Sequence, residues 1–65
     1  MTEWMELIQL KLESFFLHGK LSLRQYNYMA NYAQSLILRV EVDGRLLADA
    51  NRKMQIALQT AGCQL

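Results

Sequence analysis

Few side chains in this chain are suited to covalent or acid–base chemistry, and they lie far apart. Cys63 and His18, each the sole residue of its type, form the one nucleophile–base combination on offer. Cys63 follows Gly62 in what reads as a frayed C-terminal tail, where nothing would hold a thiol in register, so it is expected to be incidental. His18 precedes Gly19 at the end of an apolar run, and there it suits the negative end of a helix dipole better than a base or ligand role. Glu41, Asp43 and Asp49 gather around a turn dipeptide without a second histidine or calcium-loop spacing, so they read as cap and surface charges. The three glycines are isolated, each at a plausible helix end, which excludes a phosphate-cradling loop. One cysteine and one histidine supply neither a zinc-type ligand set nor a disulfide. The expectation is a protein with no catalytic residue, no metal and no cofactor.

The elements that must position everything else are helices. Sixty-five residues make at most one domain, and a marginal one, because so short a chain buries only about 60% of its unfolded surface. The composition is 52% hydrophobic with no proline, and the net charge is +1. That is too apolar for disorder and suits helix packing and oligomerisation. The N-terminal run "WMELIQLKLESFFL" is interrupted by Glu6, Gln9, Lys11 and Glu13, so it is read as neither a secretory signal nor a membrane span. A single unpaired cysteine points to the reducing cytoplasm.

A first helix is expected over about residues 3–18, with Thr2 able to cap it and Gly19 suited to the left-handed position past its end. At 100° per residue Trp4, Met5, Ile8, Leu12, Phe15 and Phe16 share an arc of about 120°, which is the core face. Leu7, Leu10 and Leu17 fall on a second side, beside Glu3, Glu6 and Glu13, with a spacing similar to a short coiled-coil seam. A wide apolar stripe would explain them; a second contact surface explains them better in a chain with so little protein of its own to cover both sides.

Ser22-Leu23-Arg24-Gln25 has the form of a capping box and opens a second helix over about 23–42, with Leu21 and Tyr26 placed to staple its entry. Tyr26, Met29, Ala30, Ala33, Leu36, Ile37 and Val40 form its core side, whereas Tyr28 and Tyr32 share the other side with Arg39. The turn "GKLS" is short enough to make the two helices antiparallel. In "RVEVDGRLL" the β-branched residues, Asp43 and Gly44 are poor helix formers, and Asp-Gly is a turn signal. A break there gives a small three-helix bundle with a third helix over about 45–61; an unbroken or kinked second helix gives an overhanging hairpin that needs another chain. The third segment carries a stripe of Leu47, Ala50, Met54, Ala57, Leu58 and Ala61. Asn51 falls within that stripe, either as a polar register residue facing a partner or at a solvent edge.

The remaining question is what such a chain binds. Arg39, Arg45, Arg52 and Lys53 could line one side of the C-terminal half, with Tyr28 and Tyr32 as stacking surfaces. A net charge of +1 is weak against a polyanion, however, and places nucleic acid behind protein as the partner. Tyrosine, methionine and arginine are interface residues, so Leu7, Leu10, Leu17, Tyr28, Tyr32 and Arg39 are the candidate partner-binding set. The segment "LHGKLSLRQYNYMANYAQSL", through Gly19, Gln25 and Tyr26, is similar in outline to small co-chaperones of type III secretion needle subunits. That resemblance implies a helical hairpin holding an apolar partner helix in a groove and keeping it soluble. The expected whole is an all-α, oligomeric interaction module: a homodimer first, a small adaptor, co-chaperone or inhibitor of a larger helical protein second.

Overall fold

Three amphipathic stretches, each closed by a residue that cannot extend it, set the architecture. The computed structural model describes residues 2–63. Helix α1 runs Thr2–Leu17, α2 runs Leu23–Val42 and α3 runs Leu47–Thr60, with a 3₁₀ turn over Gly44–Leu46 between the last two. The chain is therefore an all-α three-helix bundle, and the unbroken second helix is ruled out. The side chain of Thr2, the expected cap of α1, lies outside the described residues.

Each boundary has a local cause. At the end of α1, Gly19 takes φ +75, and the amides of Gly19 and Lys20 donate back to the carbonyls of Phe16 and Phe15. This is a Schellman closure, which an L-residue at position 19 would strain. The His18 Nδ1–H donates to the Ser14 carbonyl at 2.7 Å, engaging the negative helix end as expected. Helix α2 opens on the full capping box: the Gln25 amide donates to Ser22 Oγ at 3.1 Å, and the Ser22 amide donates to Gln25 Oε1 at 2.8 Å. Its other end is set by Asp43 rather than by Gly44, whose φ is not positive. Asp43 takes an extended conformation, and its carboxylate accepts from the Arg45 amide at 3.1 Å, turning the chain into the 3₁₀ segment.

Helix α2 is the element on which both others pack. Ile8 and Leu12 of α1, Met29, Ala33, Leu36, Ile37 and Val40 of α2, and Ala50, Met54 and Leu58 of α3 form one buried core with Leu21 and Cys63. Burying each larger aliphatic side chain contributes about 1.5–3 kcal/mol, more than any single cap, so packing decides the fold and the caps set its limits. Trp4, Met5, Phe15 and Tyr26 pack around this core, and the Tyr26 ring lies 5.3 Å from that of Phe16. No helix among the described residues is long and apolar enough to cross a membrane.

Three expectations need correction. Leu47 is 37% exposed rather than part of the buried stripe of α3, and Phe16 is 36% exposed rather than part of the core face of α1, its ring lying against Tyr26 instead. Asn51 is half-buried, and its Oδ1 accepts from Trp4 Nε1 at 3.2 Å, which satisfies a half-buried indole that needs an acceptor. Cys63 is no frayed tail residue, being only 1% exposed. Gly62 repeats the Gly19 closure with φ +84, and the Cys63 amide donates to the Leu58 carbonyl at 2.8 Å. That turns the thiol inward against Leu58 and brings Sγ within 3.9 Å of the Lys20 carbonyl. Trp4–Asn51 and Lys20–Cys63 together make α1 and α3 run in the same direction.

Candidate functional site

Two tyrosines four residues apart on a helix lie over one another. The rings of Tyr28 and Tyr32 are stacked, with centroids 6.4 Å apart and planes 18° from parallel. They differ in setting, because Tyr32 is half-buried against the core whereas Tyr28 is 65% exposed. Together they form one wall of a groove of about 630 Å³ between α2 and α3. Ile56, Ala57 and Ala61 of α3 form the opposite wall, and Met29 contributes to the lining. The alanines create the space: a long side chain at position 57 or 61 would close the gap between the two helices.

The groove is apolar along most of its length, and the Lys53 ammonium at its edge is held by the Asp49 carboxylate at 3.0 Å. Arg24, in the first turn of α2, and Lys53, on α3, are its two charged lining residues, and no carboxylate lines it. Helix α2 runs antiparallel to α3, so Arg24 stands beside the end of α3 and Lys53 near Tyr32.

Arg39 is not part of this groove. It lines a smaller recess with Leu46, Asp49, Ala50 and Lys53, so Lys53 is the residue common to both. The basic residues of the C-terminal half do not form one stripe of unpaired charge. Arg45 grips Asp43 through Nε and a terminal nitrogen, both at 3.1 Å. Arg52 and Lys53 both reach Asp49, at 2.6 and 3.0 Å. The Arg45 guanidinium and amide hold the Asp43 carboxyl below its usual range, and Arg52, then Lys53, do the same for Asp49.

On α1, Leu7, Leu10 and Leu17 all face solvent, Leu10 and Leu17 at 64% and 79% exposure. Leu10 sits in a shallow recess with Glu6, Gln9 and Glu13. Neither Glu6 nor Glu13 takes part in an ion pair among the described residues. The candidate residues thus divide between two places: an acidic leucine face on α1, and a tyrosine groove between α2 and α3 with Arg39 beyond it. The α3 wall and Arg24 escaped sequence reasoning. Ile56 was the available signal, because it stands outside the stripe of α3 as the one large aliphatic residue on its polar side.

His18 and Cys63 are not a reactive pair in this arrangement, since His18 is exposed at the end of α1 and the thiol is enclosed. The sequence matches no family model, and neither a curated protein nor a solved structure is similar to it at a meaningful level.

Proposed function

We propose that this chain is a non-enzymatic interaction module that binds a helical protein segment and buries apolar helix surface in doing so. The α2–α3 groove carries the reading. Its stacked tyrosines and small-residue opposite wall have the chemistry of a seat for an amphipathic helix, in which the apolar side enters and a charged flank meets Arg24. Scattered apolar side chains are normal on any surface; a continuous aromatic–aliphatic groove is a more specific feature. A homo-oligomer and a co-chaperone or adaptor role toward a larger partner are both forms of this activity. A reducing compartment such as the cytoplasm suits a chain whose single cysteine has no second thiol within it.

The test is a photo-cross-linking amino acid placed at Tyr28, expressed in the native host. The expected result is a covalent adduct with a protein, either this chain or another, which disappears when Ile56→Glu is added on the opposite wall. Absence of any protein adduct from this position would overturn the proposal.

A further inference from the structure

We draw no further inference here: the strongest candidate, the apolar groove between α2 and α3 walled by Tyr28, Tyr32 and Ile56, is an unpartnered face, and nothing in the structure shows what covers it.

Discussion

The hydrogen bond from Trp4 to Asn51 makes a quantitative claim about how α3 is held to α1. Total stability for a domain of this length is roughly 3–10 kcal/mol, and a neutral, half-buried hydrogen bond contributes about 0.5–1.5 kcal/mol of it. Single substitutions would blur that number. Asn51→Ala removes the acceptor but gains up to about 0.7 kcal/mol of helix propensity, while Trp4→Phe removes the donor together with some apolar contact. A double-mutant cycle cancels both side effects and leaves the coupling between the two groups. The expected coupling is about 1 kcal/mol, equivalent to about 4–8 °C in the melting temperature of so small a domain. Thermal and urea melts followed by circular dichroism give the four stabilities, with protein concentration held fixed. A coupling below about 0.3 kcal/mol, within the ordinary additivity of unconnected sites, would refute the bond as a tie between the helices. A change in oligomeric mass on Asn51→Ala alone would refute it differently, by making Asn51 an interface register residue.

Two further outcomes follow from side chains whose settings are equally specific. Cys63 is enclosed beneath the Gly62 turn, so a maleimide should label it slowly in the native state and rapidly in denaturant; fast native labelling would restore the frayed tail. Arg45 holds the Asp43 carboxyl, and Arg52 and Lys53 hold that of Asp49, below the usual carboxylate range in the folded state. Their contribution is thus present above the unfolded pKa of about 4 and is lost as pH falls through the lower folded values. The urea midpoint should therefore fall more steeply with acid in the native chain than in an Asp43→Asn, Asp49→Asn variant, and parallel curves would show that these pairs contribute nothing.

Local chemistry was the part of this fold that the sequence made legible. Ser22 and Gln25 specify the start of α2 through bonds within one turn, Gly19 and Gly62 mark two helix ends, and Asp43 next to Gly44 marks the break. Each of these signals acts over a few residues. What lay beyond reach depends on which helix stands opposite. Asn51 is equivocal in sequence because its partner is an indole 47 residues away, and helical phase alone does not say which residues of the α3 stripe, Leu47 among them, a neighbouring helix covers. The position of Cys63 has a local signal as well. A residue directly after a glycine closure tends to fold back on the last helical turn, and that regularity argues against a loose tail. For the candidate site, the outward side of Tyr28 was readable from phase, whereas the groove was not, since its second wall belongs to another helix.

The two ties between α1 and α3 also bear on how the chain reaches this state. All other packing joins helices that are neighbours in the sequence, so both antiparallel hairpins involve short loops. The remaining closure links residues separated by 47 and 43 positions. Its entropic cost grows slowly, by about 0.6 kcal/mol for each doubling of loop length, and much of that loop is already ordered once the hairpins exist. The sequence has no proline and no second cysteine to impose a slow isomerisation or reshuffling step. A helical topology this local belongs with folding times of microseconds to milliseconds. The same arrangement lets α1 and α3 separate from each other by releasing only those two bonds, while each stays packed on α2.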